Sequence, residues 1–260
     1  MDYKLKRIDH DTKAGDIQVK FSDGKTDSFN KHGIFVSTRP RNITRIKQRT
    51  DHTFKGRNGF LSIDHSTWLG DELEFDFSLL SKDDETTFDQ MVFLNDLQNE
   101  TELTFIFYHE PFNYFKGYVV SISELQGSKI LGKNKTAKIT FKLQPERYFN
   151  HQYDSIVLNK GDRIQIDYGV LDGIFELKGS GDITLTVGSS ETVLKNVSDQ
   201  YPVLIDSYLK RTYANPTKNT YKSLSHYKYD GRYPIFNKYS TTINWTGNIS
   251  QLKIMPNWRL

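Results

Sequence analysis

The sequence predicts a mainly β protein in two parts, with a single helix in the first part. Aromatic and β-branched side chains pack well on pleated surfaces and so favour strands, and this chain of 260 residues holds 17 Phe, 15 Tyr and 3 Trp. Short segments that alternate between apolar and polar residues recur between polar turns, and this is the period of a half-buried strand. Helical spacing is found only in residues 82–98.

The first part consists of short strands separated by turn signals. Ser-Asp-Gly-Lys at 22–25 and Gly-Arg-Asn-Gly at 56–59 are typical turns, because glycine adopts backbone angles that other residues avoid. Residues 124–135 are polar and contain glycine, and we interpret them as a loop or a long hairpin. The alternation predicts strands at residues 3–8, 17–21, 33–37, 43–48, 73–79, 103–108, 114–122 and 138–143.

The helix is predicted from apolar residues that recur every three or four positions. Ser81 is the predicted N-cap, since its hydroxyl can accept a hydrogen bond from the first turn. Asp83, Asp84 and Glu85 complement the positive end of the helix dipole. The side chains expected to form one buried apolar face are Phe88, Met91, Val92, Leu94 and Leu97.

The strand pattern is interrupted at Pro145, and proline cannot donate a hydrogen bond in a central strand. We therefore predict a first domain at residues 1–150 and a second domain at residues 151–260. Many short strands at even spacing are typical of a β-sandwich or a jelly roll. The strands expected in the second domain lie at residues 156–158, 163–168, 173–179, 183–188, 203–206, 212–214, 241–244 and 251–254.

The last residues of the sequence include apolar side chains that are available for burial. Trp245 lies in an alternating segment, and Trp258 lies in the final Pro-Asn-Trp-Arg-Leu. Chain ends usually fray unless something holds them in place. We therefore predict that these two tryptophans anchor the second domain.

Composition and charge argue against several classes of function. The chain has no cysteine, which excludes disulfides and thiolate chemistry. Its net charge of +3, from 35 basic and 32 acidic residues, describes a mixed surface without the basic footprint of a nucleic-acid-binding protein. No apolar run is long enough to span a bilayer, and the first residues lack the apolar core of a signal peptide. We expect a soluble protein with no specific nucleic-acid or membrane partner.

No catalytic or cofactor-binding motif stands out. The seven histidines include no His-x-x-x-His pair of the zinc-protease kind, and P-loop and dinucleotide fingerprints are absent. The carboxylates Glu74 and Asp76 alternate with apolar residues, as on the wet face of a half-buried strand. We predict no catalytic residue, no metal and no cofactor, and therefore a protein that is not an enzyme.

Two segments keep alternative interpretations open. Residues 39–49 are the densest basic run, and they fit a nucleic-acid stripe, a charged protein–protein seam or the solvated face of a strand. Aromatic residues for base stacking do not interleave with this run, which counts against the first alternative. The tyrosine-rich residues 201–239 fit a sugar-stacking platform, a β core or an interface.

Several motifs, taken in order, resemble the distal tail proteins of siphophages that infect Gram-positive bacteria. The resemblance covers essentially the whole chain. One departure lies at Asn257, where the family often has a basic residue before the tryptophan. The motifs that carry the resemblance are Arg-Pro-Arg-Asn-Ile (39–43), Gly-Arg-Asn-Gly-Phe (56–60), Trp-Leu-Gly-Asp-Glu-Leu-Glu-Phe-Asp-Phe (68–77), Gly-Tyr-Val-Val-Ser-Ile (117–122), Phe-Lys-Leu-Gln-Pro-Glu-Arg-Tyr-Phe (141–149), Arg-Tyr-Pro-Ile-Phe-Asn (232–237), Ile-Asn-Trp-Thr-Gly-Asn-Ile (243–249) and the final Pro-Asn-Trp-Arg-Leu.

The resemblance implies a structural virion protein at the tail tip, assembled in the host cytoplasm. The family's N-terminal domain forms a hexameric ring, and its C-terminal domain is a galectin-like β-sandwich. The ring joins the tail tube protein to the tail-associated tip protein and, in some phages, to receptor-binding proteins. The alternative is a cell-wall carbohydrate-binding module that assists host adsorption. The residues we predict at the assembly interface, because they combine charge with alternating apolar positions, are Arg39, Arg41, Arg45, Trp68 and Phe75.

Overall fold

The structure, a computed structural model, describes residues 1–38, 46–53, 55, 59–127, 134–217, 220–223, 228–236 and 240–259. Packing of the backbone divides the chain into two compact units. The N-terminal unit comprises Asp9–Arg147, and the C-terminal unit comprises Met1–Ile8 together with Tyr148–Leu260. The described residues are mostly in antiparallel strands and include one α-helix, so the predicted fold class is confirmed.

The elements of the described residues are numbered in chain order. The strand β1 (Asp2–Lys4) belongs to the C-terminal unit. The N-terminal unit then contains β2 (Ile17–Lys20), β3 (Thr26–Ser28), a 3-10 helix (Asn30–His32), β4 (Ile34–Val36), β5 (Ile46–Thr53), β6 (Phe60–Leu69), β7 (Glu72–Leu80), α1 (Asp84–Asn99), β8 (Leu103–Phe107), β9 (Asn113–Ile122), β10 (Gln126–Gly127) and β11 (Asn134–Leu143).

The C-terminal unit contains the remaining strands, two of which are much longer than the rest. These strands are β12 (Tyr148–Phe149), β13 (Ile156–Leu158), β14 (Arg163–Gln165), β15 (Val170–Val187), β16 (Ser190–Val197), β17 (Val203–Asp206), β18 (Arg211–Thr217), β19 (Thr220–Ser223), β20 (Lys228–Gly231) and β21 (Ser240–Arg259).

The main sheet of the N-terminal unit is antiparallel and has the strand order β3-β2-β8-β9-β11-β7-β4, with the short β10 also paired to β11. Along β7, alternate side chains point to opposite faces. Phe75 and Phe77 lie in the core, whereas Glu72 and Glu74 face outward. The outward carboxylates form ion pairs with lysines of β11, as in the 2.8 Å contact between Lys142 Nζ and Glu72 Oε1.

The core of the N-terminal unit is rich in phenylalanine, in keeping with the composition. The Phe29 and Phe77 rings stack at a centroid distance of 5.2 Å, and the Phe105 ring meets the Phe141 ring edge-on at 5.1 Å. Such pairs stabilise a core beyond their buried area. The helix α1 closes this core by burying Phe93, together with Leu94 and Leu97.

The N-cap of α1 is Asp83, and the prediction of Ser81 was wrong. The Asp83 carboxylate accepts a hydrogen bond from the Thr86 backbone N–H at 2.7 Å. Ser81 is instead buried, and its hydroxyl donates to Gln90 Oε1 at 2.8 Å. Both residues are good N-caps by type, and the polar partner at Gln90 explains why the serine turns inward.

The C-terminal unit is organised around the antiparallel pair of β15 and β21. The first half of β15 pairs on its other edge with β17, and the second half pairs with β16. The two halves meet at register shifts next to Gly179 and Gly181. Opposite this point, Gly247 has a φ of +90°, and a Cβ there would lie 2.3 Å from the Asp182 carbonyl oxygen. Bulges of this kind bend a strand, and the strands of this unit enclose one hydrophobic core.

The first eight residues pack with the C-terminal unit, which differs from the predicted assignment of residues 1–150 to one domain. The reason is a parallel pairing of β1 with β14, in which Tyr3 lies opposite Ile164. An isolated bridge between Arg7 and His151 continues this contact. Parallel partners distant in the sequence leave no local signal, because the pairing depends on the whole fold.

Candidate assembly surface

The most exposed described part of the N-terminal unit is the hairpin of β5 and β6. These two strands form a separate two-stranded sheet in which each pairs with the other, from Ile46 opposite Leu69 to Thr53 opposite Phe60. Every described side chain of the two strands is exposed except that of Lys47, which is partly buried. An isolated two-stranded hairpin is at best marginally stable in water, so a further partner would stabilise this one.

The hairpin exposes apolar side chains on both of its faces. Phe60 is 65% exposed, and Leu61 and Ile63 are also exposed. Side chains of adjacent positions point to opposite faces of a strand, so Phe60 lies on one face while Leu61 and Ile63 lie on the other. Exposed apolar clusters of this kind on a folded unit are typical of protein–protein contacts.

The described residues of the hairpin carry charges of both signs, with Asp51 and Asp64 on the acidic side. Its described basic residues include Lys47, which forms an ion pair with Asp64, and the exposed Arg49 and Lys55. Arg49 lies directly opposite Asp64 in the ladder. From residue 39 to residue 69 the sequence contains seven Lys or Arg and two Asp. The predicted interface residues Arg39, Arg41 and Arg45 lie outside the described residues.

The structure places the other two predicted interface residues differently. The backbone of Trp68 lies in β6 opposite Lys47, and its side chain lies outside the described residues. Phe75 is a core residue that is 2% exposed, and its ring lies 5.6 Å from the Phe107 ring and 5.9 Å from the Phe141 ring. Its side chain therefore offers no surface to a neighbouring subunit, and the interface assignment of Phe75 is replaced by a core assignment.

The outer face of α1 is a second exposed apolar surface, and sequence reasoning missed it. Phe88 is 66% exposed and Met91 is 53% exposed, and Val92 is exposed beside them. The apolar spacing of the sequence predicts all three on the buried face, and this prediction is wrong. The buried side chains are instead Gln90, Phe93, Leu94 and Leu97. At about 100° of rotation per residue, these two sets lie on opposite sides of the helix.

Gln90 holds the helix in this rotation by hydrogen bonds to three separate groups. Its Nε2 donates to the His32 carbonyl at 2.9 Å and to the Leu80 carbonyl at 3.1 Å. Its Oε1 accepts the Ser81 hydroxyl. Beside it, the His32 ring stacks on the Phe93 ring at 4.2 Å. A buried amide with satisfied hydrogen bonds specifies one arrangement, because any other would leave polar groups unpaired.

The outer face of α1 is flanked by acidic residues. Within Asp84–Asn99 the acidic residues are Asp84, Glu85, Asp89 and Asp96, all exposed, and the segment has no Lys or Arg. Glu85, Asp89 and Asp96 fall within an arc of about 40° beside the apolar stripe. The helix therefore presents an apolar surface with a negative border, whereas the described residues of the hairpin carry charges of both signs.

In the C-terminal unit, Trp258 is buried as predicted from the sequence. It is 1% exposed, and its Nε1 donates to the Tyr168 carbonyl at 2.7 Å. Its ring lies 4.9 Å from the Phe149 ring. Trp245 is partly buried and packs against the same core from its position opposite Leu185. Whether these residues anchor the unit energetically stays a prediction.

Next to Trp258, an ion pair ties the last described strand to β15. Arg259 contacts Asp172 Oδ2 through its Nε at 2.9 Å and through its Nη2 at 2.8 Å. The guanidinium also lies 4.9 Å from the centroid of the exposed Tyr208 ring. Both partners of the ion pair are mostly buried, so the contact contributes to the order of this end of β21.

Buried ionisable groups occur in both units. Burial lowers the pKa of His10, His109 and His151, and it raises the pKa of Tyr114 to about 12. Within the described residues, no group of three or more His, Asp or Glu is arranged to hold a metal ion. The same part of the chain has no helix long and apolar enough to cross a membrane.

No protein-family model matches the sequence, and no curated protein matches it. Nine chains of solved structures match the fold, and this fold occurs in the adsorption apparatus of phage tails. One match is the Dit protein (gp 19.1) of phage SPP1, described as a paradigm of the hub adsorption apparatus in phages that infect Gram-positive bacteria. The two chains are 13% identical with a TM-score of 0.62, over 94% of this chain and 99% of the other.

A second solved structure with this fold comes from another phage. It is a chain of the phage P2 baseplate in its activated conformation with Ca, which is 13% identical with a TM-score of 0.58. The match covers 93% of this chain and 97% of that chain. One neighbour belongs to a hub adsorption apparatus and the other to a baseplate, and both are matched over nearly their whole length. The resemblance to distal tail proteins is thereby confirmed in the fold.

Proposed function

We propose that this protein is a structural hub of a siphophage tail tip, where six copies close into a ring. The observation that carries the proposal is the end-to-end fold match, which covers 94% of this chain and 99% of the hub protein of phage SPP1. Both units of the chain take part in this match, so the proposal concerns the whole protein. The role is assembly, and no catalytic step is part of it.

Self-association is supported by the exposed surfaces of the N-terminal unit. The hairpin of β5 and β6 and the outer face of α1 both carry apolar side chains in contact with water. A ring needs two different surfaces on each subunit, because a head-to-tail contact repeats until the rotation closes. The two surfaces differ in structure, as a head-to-tail contact requires.

In the proposed assembly the ring joins the tail tube protein on one side to the tail-associated tip protein on the other. Receptor-binding proteins of a baseplate attach at its periphery. The protein is assembled in the host cytoplasm and ends in the virion at the tail tip. The host of the phage would then be a Gram-positive bacterium, as it is for the phages of the SPP1 hub type.

Negative-stain electron microscopy of the purified protein, combined with native mass spectrometry, tests the proposal. We expect six-fold rings with a central channel and a mass of six chains. A double variant that replaces Phe60 and Leu61 with serine removes exposed apolar area from the hairpin, and we expect it to shift the population toward monomers. Only monomers of the unaltered protein would contradict self-assembly, and retention of those monomers on cell-wall polysaccharide would favour the carbohydrate-binding alternative.

A further inference from the structure

We propose that the C-terminal unit contains an acceptor site for an extended peptide, and that residues 2–8 of the same chain occupy it. We call these residues the N-terminal arm. The whole N-terminal unit, Asp9–Arg147, separates the arm in sequence from the rest of the unit that it completes. The arm therefore binds its site as a tethered ligand does, through contacts that are not covalent. This inference does not depend on the proposed ring.

One edge of the arm is bound by the backbone of β14. The arm adds to this strand in parallel, with Tyr3 opposite Ile164. The ladder continues beyond β1, where the Leu5 N–H donates to the Gln165 carbonyl at 3.0 Å. Addition of an extended segment to the edge of a sheet is a recurrent mode of peptide recognition, in which main-chain hydrogen bonds supply affinity.

The opposite edge of the arm is bound by two side-chain amides. Gln152 Oε1 accepts the Lys6 N–H at 2.9 Å, and Gln152 Nε2 donates to the Lys4 carbonyl at 2.7 Å. This amide replaces the acceptor and the donor that a neighbouring strand would offer. The Ile8 N–H donates to the Asn150 carbonyl at 3.0 Å, and Asn150 Nδ2 donates to the Ile8 carbonyl at 3.2 Å. The arm is therefore held along both edges.

Alternate side chains of the arm face the C-terminal unit, as the period of an extended segment requires. Leu5 is 0% exposed and belongs to the core of this unit. The Tyr3 ring meets the Tyr153 ring edge-on at a centroid distance of 6.1 Å. The Tyr3 hydroxyl donates to the Val157 carbonyl at 3.0 Å. The acceptor site therefore has a closed apolar pocket for Leu5 and a polar contact beyond it.

Basic side chains of the arm have partners in the C-terminal unit as well. The Arg7 guanidinium lies 5.7 Å from the centroid of the Phe149 ring and 5.1 Å from that of the Tyr168 ring, within the range of cation–π attraction. Lys4 Nζ lies 3.2 Å from Asp167 Oδ1. The ligand class of the site is therefore an extended peptide in which basic residues surround one buried aliphatic side chain.

The C-terminal unit is incomplete without the arm. Removing the arm would open the core at the position of Leu5. It would also leave one edge of β14 without a partner strand, because β21 pairs with the other edge. A cavity in a core destabilises a fold, and an open strand edge is a template for pairing with another segment. The site should therefore accept an arm that is supplied as a separate peptide.

Cutting the folded chain between the arm and the N-terminal unit tests the inference. The recognition sequence of a site-specific protease is inserted between Lys13 and Ala14, which are both exposed. The full chain folds first and is then cut. We expect the small fragment to stay bound during size-exclusion chromatography. A fluorescent synthetic peptide of residues 2–8, added in excess, should then replace the fragment at one peptide per chain, as measured by fluorescence anisotropy and native mass spectrometry.

Single substitutions identify the contacts that hold the fragment. Leu5→Ala should release it at least about tenfold faster, because a buried aliphatic side chain is lost. Gln152→Ala should also speed release, because the arm loses two hydrogen bonds. Lys6→Ala is the matched control, since this side chain is exposed and the backbone N–H is kept, and its release rate should not change. Circular dichroism of each uncut variant verifies that the chain is folded.

Uptake of the labelled peptide, and no uptake of a peptide with serine in place of Leu5, would support the acceptor site. Loss of the fragment on cutting, with an unchanged calorimetric transition of the C-terminal unit, would overturn it. Equal release rates for Leu5→Ala and Lys6→Ala would overturn it too, as would no replacement by the peptide over several half-lives of fragment release. The proposed ring is scored on the uncut protein, so its failure is a separate result.

Discussion

Removing the Trp258 side chain should unfold the C-terminal unit at a clearly lower temperature. The indole is 1% exposed, packs against Phe149 and Tyr168, and donates a hydrogen bond to the Tyr168 carbonyl. Truncation of a buried tryptophan to alanine costs about 3–5 kcal/mol. The unpaired carbonyl of Tyr168 adds about 1 kcal/mol. For a unit of this size, such a loss lowers the Tm by roughly 10–20 °C.

Differential scanning calorimetry is the assay, and three variants divide the effect into its parts. Trp258→Phe keeps an aromatic ring but loses the indole N–H, so we expect a loss of about 1–2 kcal/mol. Trp245→Ala is the matched control, because this tryptophan is only partly buried against the same core. It should cost about 1–2 kcal/mol. Two independent units can melt in separate transitions, so a second transition serves as an internal reference.

Two results would contradict the reasoning on Trp258. A melting curve of Trp258→Ala that coincides with that of the unaltered protein would show that burial of this side chain contributes nothing to stability. If Trp245→Ala lowered the stability as much as Trp258→Ala does, the degree of burial would not determine how much each tryptophan contributes to stability. Deletion of residues 256–260 also removes the Arg259 ion pair with Asp172, and it should destabilise the unit at least as much as Trp258→Ala.

Three further predictions concern the N-terminal unit. Gln90→Ala should destabilise it by about 2–3 kcal/mol in thermal circular dichroism, because three hydrogen-bond partners lose their amide, whereas the exposed Gln98→Ala should change little. Burial lowers the pKa of His109 below its ordinary value of 6.5, so the unfolded chain binds the proton first as the pH falls. The Tm should therefore decrease as the pH is lowered from about 8 to about 5, and His109→Asn should make this decrease smaller. An unchanged decrease would show that other groups cause it. Finally, Arg41→Glu with Arg45→Glu should weaken ring assembly in electron micrographs while the monomer stays folded, and undiminished rings would assign both arginines to the solvated surface.

The strands of the main sheet could be predicted because their alternation reports one-sided burial. In β7 the sequence places Leu73, Phe75 and Phe77 at every second position, and all three are buried. The intervening Glu74 is exposed and pairs with Lys138 at 2.7 Å. This information is local, since side chains two residues apart share a face whatever the partner strand is.

The existence of the helix could also be predicted from the sequence, but the face that it buries could not. Apolar residues at Phe88, Met91 and Val92 lie opposite those at Phe93, Leu94 and Leu97 around the helix, so the spacing permits more than one buried face. The choice depends on Gln90, whose partners His32 and Leu80 are known only from the fold. The presence of Gln90 among apolar residues was a clue to the buried face, because a buried amide needs hydrogen-bond partners.

Partners that are distant in the sequence account for the other differences. The pairing of β1 with β14 brings Tyr3 beside Ile164, and no local pattern connects the two segments. For the same reason Phe75 looked like an interface residue, because alternation with charged neighbours fits both a half-buried strand and a subunit seam. Only the position of β7 inside the main sheet, between β4 and β11, separates the two interpretations.

The amide of Gln90 connects the stability of the monomer to its proposed assembly. In a rotation of α1 about its axis that turned Phe88 or Met91 toward the sheet, either side chain would have the hydrophobicity to compete with Phe93. The three hydrogen bonds of Gln90 make that rotation costly, because it would leave buried carbonyls without donors. The same bonds therefore keep an apolar stripe in water in the free subunit. A surface held rigidly in advance binds with less loss of conformational entropy, and this is the property that a repeated seam requires.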